Sequence, residues 1–261
     1  WCPPAWMKIN GHYASRYQRN CRDDRFRNGL LESQEGHEGS DMFRMDSLHL
    51  QAYATYFQKF IRAYRDAGID IFAVMPQNEF NSAQVFPSCV WTARSLAQFV
   101  GQYLGPVMKQ EGVEVMFGTV ERPNALLVDT VLQDVHAKKY ISGVGFQWAG
   151  RGAIATVRTQ YPHMRLLQTE QECGDGKNDR KGLVHSWNLL KHFIDNGVSV
   201  YDYWNMALLE GGVSRWGWAQ NSLVVVDSVN HSYRWTPEFY LMKHVSHFVV
   251  PGARYISTSG D

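Results

Sequence analysis

Two short segments carry carboxylates in a setting that could do chemistry: Gln77-Asn78-Glu79 and Gln168-Thr169-Glu170-Gln171-Glu172. Each follows a short apolar run, Ile69 to Met75 and Arg165 to Thr169, of the kind that forms a buried strand. A carboxylate at the carboxyl end of such a strand faces a cleft rather than the outside of the molecule. Two of them, facing each other, are what cleavage of a glycosidic bond requires: one protonates the leaving oxygen while the other attacks the sugar or activates water. Aromatic residues collect at the same kind of position, with Trp148 closing Gly145-Phe146-Gln147-Trp148 and Trp204-Asn205 closing the run from Val200. An indole offers an apolar face and one donor, which suits the flat amphipathic surface of a sugar.

These segments need a frame, and the chain supplies one by alternation. A helical pattern runs from Asp46 to Ala67, with Leu48, Tyr53, Tyr56, Phe57, Phe60, Ile61 and Tyr64 recurring at three and four, and Gly68 ends it. Helices are expected at about 92–110, 124–134, 153–160, 181–195 and Pro237 to His247, with proline opening the last. Between them lie strands at Ile69 to Met75, Val113 to Gly118, Ile141 to Trp148, Arg165 to Thr169 and Val200 to Trp204. Five β/α units in succession predict a parallel α/β architecture with helices covering the sheet. Residues 1–46, rich in Asn, Arg, Gly and charge, read as a long irregular excursion, a kind of segment that is usually functional.

Composition narrows the classes. The 261 residues are 44% hydrophobic and 20% charged, which excludes disorder, collagen and coiled coil. The 26 basic and 25 acidic side chains give a net charge of +1 and no overall field for nucleic acid. No apolar run approaches the ~18 to 20 residues of a transmembrane helix. Cys2, Cys21, Cys89 and Cys173 form no CxxC motif, leaving a Cys2–Cys21 or other disulfide open. There is no HExxH, and Gly174-Asp175-Gly176-Lys177-Asn178-Asp179 lacks the spacing and closing Glu of an EF-hand, so neither a metal nor a cofactor is implied.

The combination of motifs resembles glycoside hydrolase family 30, the glucosylceramidase-like (β/α)8 enzymes, over nearly the whole chain. Trp1-Cys2-Pro3-Pro4-Ala5-Trp6-Met7-Lys8 is similar to the family's loop after strand three, Gln77-Asn78-Glu79 to its acid/base motif, Thr169-Glu170 to its nucleophile, and Trp204-Asn205-Met206-Ala207-Leu208 with Glu210-Gly211-Gly212 to the segment after strand eight. The wording is nearest to the bacterial branch with endo-β-1,6-glucanases. The resemblance implies a retaining enzyme in which Glu79 is the acid/base, Glu170 the nucleophile (Glu172 the fallback), and Asn78 the partner of the substrate's 2-hydroxyl. Trp1 and Trp204 would line the subsite at the cleaved bond, with Gln147 and Trp148 as further substrate contacts. It also implies a partial TIM barrel over residues 1–248, holding strands four to eight, and the start of a β-sandwich side domain over 249–261. On this reading the chain is a fragment, and a secreted, periplasmic or cell-surface location is expected. The expected partner is a β-glucan or β-glucoside substrate. An exo-acting β-glucosidase or glucosylceramidase is the alternative within enzymes, and a sugar-binding protein without catalysis the rival outside them.

Overall fold

A computed structural model describes residues 1–19, 21, 23–171 and 174–256. Glu172 and Cys173 therefore lie outside the described residues, as do the last five positions of the expected side domain. The chain divides into two compact units, Trp1–Leu167 and Gln168–Asp261.

In the first unit, helix α1 (Ser47–Asp66) is capped by the Asp46 carboxylate, which accepts from the His49 amide. Its buried stripe is Leu50, Tyr53, Ala54, Phe57 and Ile61. Leu48, Tyr56 and Tyr64, which the periodicity also assigned inward, are exposed. Strand β1 (Ala73–Val74) is shorter than the apolar run suggests. Helix α2 (Ala93–Phe99) continues through a π-turn at Val100–Leu104 into α3 (Gly105–Glu111), and Gly112 ends the assembly at φ +71°. Then follow β2 (Glu114–Val120), α4 (Ala125–Gln133), β3 (Ile141–Gln147) and α5 (Ile154–Gln160), and β4 (Arg165–Glu170) runs past Leu167, where the first unit ends. β1 pairs in parallel with β2, and β2 with β3. The core beneath them is apolar and closely packed, with Phe99, Met108, Phe117, Val128, Val144, Phe146 and Leu166 fully buried.

The expected irregular excursion at 1–46 is held by side chains more than by backbone ladders. Single bridges tie Lys8 to Phe43 and Ala14 to Pro87. Lys8 is fully buried, and its ammonium donates to the Tyr13 carbonyl (2.6 Å), the Ser88 carbonyl (2.8 Å) and the Cys2 sulfur (3.2 Å). Three partners satisfy a cation that would otherwise not tolerate burial. Cys2, Cys21 and Cys89 are free thiols, so no Cys2–Cys21 disulfide forms.

The second unit holds α6 (Arg180–Asp195), β5 (Val198–Tyr201), β6 (Ala207–Leu209), β7 (Val224–Asp227), β8 (Ser232–Trp235) and α7 (Pro237–Phe248). β5 ends at Tyr201, so Trp204 stands in the loop after the strand rather than closing it. β1 to β5 follow one another in chain order in a single sheet, and β6, β7 and β8 make a separate three-stranded sheet that the sequence pattern does not predict. Glu238, at 0% exposure, anchors this unit from inside: it accepts from Asn221 Nδ2 (2.6 Å) and Asn178 Nδ2 (3.3 Å). Residues 249–256 form a turn and irregular backbone, with no strand among them.

Candidate active site

The first unit places Asn78 and Glu79 in the loop just past β1, where the edge of the strand gives way to a tight turn. Glu79 is 2% exposed and adopts φ +48°, a left-handed conformation that side chains with a Cβ rarely take. What holds it there is a set of hydrogen bonds from neighbouring segments. The Glu79 amide donates to Thr119 Oγ1 (2.8 Å), and the Glu79 carbonyl accepts from the Ser82 amide (3.0 Å). Gln77, fully buried, exchanges backbone bonds with β2: its amide donates to the Gly118 carbonyl (3.4 Å), and its carbonyl accepts from the Thr119 amide (2.7 Å). Trp91 Nε1 donates to Gln77 Oε1 at 3.3 Å.

Trp1 joins this group through its backbone. Its carbonyl accepts from the Asn78 amide (2.9 Å) and from Gln77 Nε2 (3.2 Å). The indole stacks on Phe57 with centroids 4.2 Å apart and meets Phe60 and Tyr56 edge-on at 4.5 and 5.3 Å. Tyr56, although exposed on α1, thus forms one side of a cradle for Trp1.

Gln147, the last residue of β3, is 3% exposed and sits between Thr119 and Asn78. Thr119 Oγ1 donates to Gln147 Oε1 (2.7 Å), and Gln147 Nε2 donates to Asn78 Oδ1 (3.0 Å). Trp148 follows at φ +42°, half-buried, and its carbonyl accepts from Arg151 Nη1 (3.0 Å). The structure therefore brings Trp1, Asn78, Glu79 and Gln147 together around the ends of β1, β2 and β3.

Sequence reading missed a further group here because it ended the second strand at Gly118, whereas β2 runs to Val120. Past its end, the Glu121 amide donates to Asn81 Oδ1 (3.1 Å). Arg122 bridges the Glu121 carboxylate and Glu38 of the long loop, reaching Glu38 Oε1 at 2.7 Å. Glu38 above all holds the Arg122 guanidinium charged, with Glu121 and Glu79 adding to its stabilisation. Burial pushes the Glu121 carboxyl upward, against the pull of Arg122. The only signal in the sequence was a charged pair directly after a buried strand.

In the second unit, Glu170 is the last residue of β4 and half-buried. The nearby Gln168 is fully buried, its Oε1 accepting from the Asp202 amide at 2.5 Å. Trp204 is half-buried, and the neighbouring Asn205 fixes its loop by donating to Gln220 Oε1 (3.3 Å) and the Asn221 carbonyl (3.2 Å). Among the described residues no cluster of His, Cys, Asp and Glu has the arrangement of a metal site, and no helix is long and apolar enough to cross a membrane.

Comparison with known proteins gives this arrangement a context. The chain is 26% identical to putative glucosylceramidase 3 of Caenorhabditis elegans over 281 aligned positions, covering 99% of this chain and 49% of that protein. It is 25% identical to an endo-1,6-beta-D-glucanase of Aspergillus fumigatus, covering 100% of this chain and 52% of that one. The chain thus spans about half the length of these relatives. Its fold superposes on the solved structure of the endo-beta1,6-glucanase BT3312 with a TM-score of 0.77 at 22% identity, covering 98% of this chain and 58% of that one. Residues 30–249 match the pattern described as the glycosyl hydrolase family 30 TIM-barrel domain. With a five-stranded sheet in barrel order and a match over most of its length, the chain belongs to glycosyl hydrolase family 30.

Proposed function

We propose that the protein is a retaining β-glycosidase that hydrolyses β-glucosidic bonds by double displacement. Glu170 attacks the anomeric carbon while Glu79 protonates the departing oxygen. Glu79 then takes a proton from the water that releases the sugar from Glu170. The observation that carries this reading is Glu79 itself, a buried acid held in an unfavourable backbone conformation directly after a strand and beside Asn78. Strain of this sort persists where surrounding contacts over-determine it, and such places cluster at active sites. Trp1, Trp148 and Trp204 supply apolar faces for sugar rings, and Asn78 the contact to the 2-hydroxyl.

The substrate we assign is β-1,6-glucan, cut internally. Support comes from the endo-1,6-glucanases among the relatives and from the polar loop at 10–47, which suits an open groove better than a lipid-binding rim. Cleavage of glucosylceramide is the second reading, favoured by the relatives of that name. Residues 1–248 would be part of the catalytic barrel and 249–261 the beginning of a β-sandwich side domain. A secreted or cell-surface location would bring such an enzyme to its polymer.

The test is product analysis. Linear β-1,6-glucan should give oligosaccharides whose new reducing ends appear first as the β-anomer by proton NMR. Appearance of the α-anomer first would remove the retaining mechanism. Release of glucose alone, or turnover of glucosylceramide without glucan cleavage, would move the assignment to the second reading. Binding without any turnover would leave a sugar-binding protein.

A further inference from the structure

Asn78 has an amide that can face a ligand with either its carbonyl or its NH2, and only one of these can donate to a sugar hydroxyl oxygen. The surrounding hydrogen bonds decide which. The backbone N–H of Glu79 has no choice but to donate, so Thr119 Oγ1 accepts it at 2.8 Å. Thr119 is 5% exposed, and its hydroxyl proton needs an acceptor inside the protein. Gln147 Oε1 lies 2.7 Å away and takes it. With its oxygen committed to Thr119, Gln147 turns its Nε2 to Asn78 Oδ1 at 3.0 Å. Asn78, half-buried, is then left with its NH2 as the group that makes no hydrogen bond among the described residues.

The opposite polarity would have Gln147 donate to Thr119 and Asn78 donate to Gln147. That would leave the buried Thr119 proton without an acceptor and present the Asn78 carbonyl outward. The chain of donors therefore runs in one direction, and it starts from the amide of the proposed acid/base itself.

We infer that Thr119, acting through Gln147, is a positioning residue that fixes the Asn78 amide with its NH2 toward the substrate's 2-hydroxyl. The inference rests on the glycosidase reading above and adds to it a residue that touches no substrate. The same hydroxyl holds the Glu79 amide, so one side chain sets both the donor to the 2-hydroxyl and the backbone of the acid/base.

The experiment compares kcat/KM on an aryl glycoside of a β-1,6-gluco-oligosaccharide and its counterpart lacking the 2-hydroxyl of the glucose next to the aryl group. Hydrogen bonds to the 2-hydroxyl strengthen in the transition state, so the protein should prefer the parent glucoside by roughly 100-fold or more. Thr119→Val keeps the shape and removes both the donor to Gln147 and the acceptor of the Glu79 amide. It should lower the preference at least about tenfold through kcat, the parent losing more than the 2-deoxy substrate, whose smaller loss reports the Glu79 amide alone. Thr119→Ser should restore the preference. Gln147→Glu, whose carboxylate cannot donate to Asn78 Oδ1, should lose it again. Equal losses on both substrates in Thr119→Val would mean a merely structural threonine and overturn the inference. So would a preference retained in Thr119→Val, or a serine variant no better than valine. A protein that hydrolyses neither glucoside would remove the glycosidase reading and the inference with it, an outcome distinct from active enzyme with an unchanged preference.

Discussion

Glu111→Gln should cost the protein stability at neutral pH and much less in acid. Glu111 ends α3, and three side chains of α1 converge on it: Arg62 reaches Oε1 (2.7 Å), Arg65 reaches Oε2 (3.0 Å) and Gln58 donates to Oε1 (2.8 Å). The Glu111 side chain is only 6% exposed, whereas the arginines are 59% and 43% exposed. A single exposed ion pair contributes about 0.2–1 kcal/mol. Two arginines on one nearly covered carboxylate, both partly screened by water, give about 1–2 kcal/mol in total. Glutamine keeps the shape and one oxygen but drops the charge. At about 2–4 °C per kcal/mol for a domain of this size, the variant should melt about 2–8 °C lower at pH 7. Arg62 first, then Gln58 and Arg65, draw the Glu111 carboxyl down to about 2. An unfolded glutamate titrates near 4.3, so between these values the unfolded chain binds the extra proton and stability rises with pH. The contribution is thus complete above about pH 5 and is lost as pH falls through about 2, and at pH 3 the gap between wild type and variant should have shrunk to about half. Thermal melts of the two proteins at pH 7 and pH 3, with and without 0.5 M salt as a roughly Debye-shortening condition, decide it. A gap of the same size at both pH values would refute charge pairing as its source.

Glu79→Ala should slow glucosides with poor leaving groups by at least about a hundredfold while activated aryl glucosides lose far less, since only the former need the acid; steady-state rates on both series report it. In the second unit, Asn221→Ala takes a 2.6 Å donor from the fully buried Glu238 and should cost about 2–4 kcal/mol in denaturant unfolding. Gly150 lies so close to β2 that an added Cβ would stand 2.0 Å from the Val120 carbonyl, so Gly150→Ala should force the backbone apart and lower stability by about 1–3 kcal/mol in the same assay.

The α-helices and the five-strand order were legible because amphipathic periodicity and the stops at Gly68, Gly112 and Asn196-Gly197 coincide with the observed ends. Inward and outward faces of α1 were less so: Tyr56 and Tyr64 fit the period, yet an aromatic side chain can satisfy it while packing beside another loop, as Tyr56 does against Trp1. The sheet of β6 to β8 escaped notice because its strands are only three or four residues long and β8 is exposed throughout. That Glu79 follows β1 and Glu170 ends β4 was legible from the apolar runs before them. Thr119 and Asn81 could not be picked out, since their partners lie tens of residues away and nothing local marks a threonine as a donor to a distant glutamine.

With the acid/base role proposed for Glu79, its left-handed backbone places catalysis and durability in opposition at one position. A non-glycine residue there forgoes about 1–2 kcal/mol. Glycine would relieve that cost. A library sorted only for resistance to heat should therefore enrich glycine at 79 and yield proteins that are sturdier and inert. Engineering for thermostability in this scaffold has to be screened on turnover, because at this residue the substitution that most improves the melt is the one that ends the chemistry.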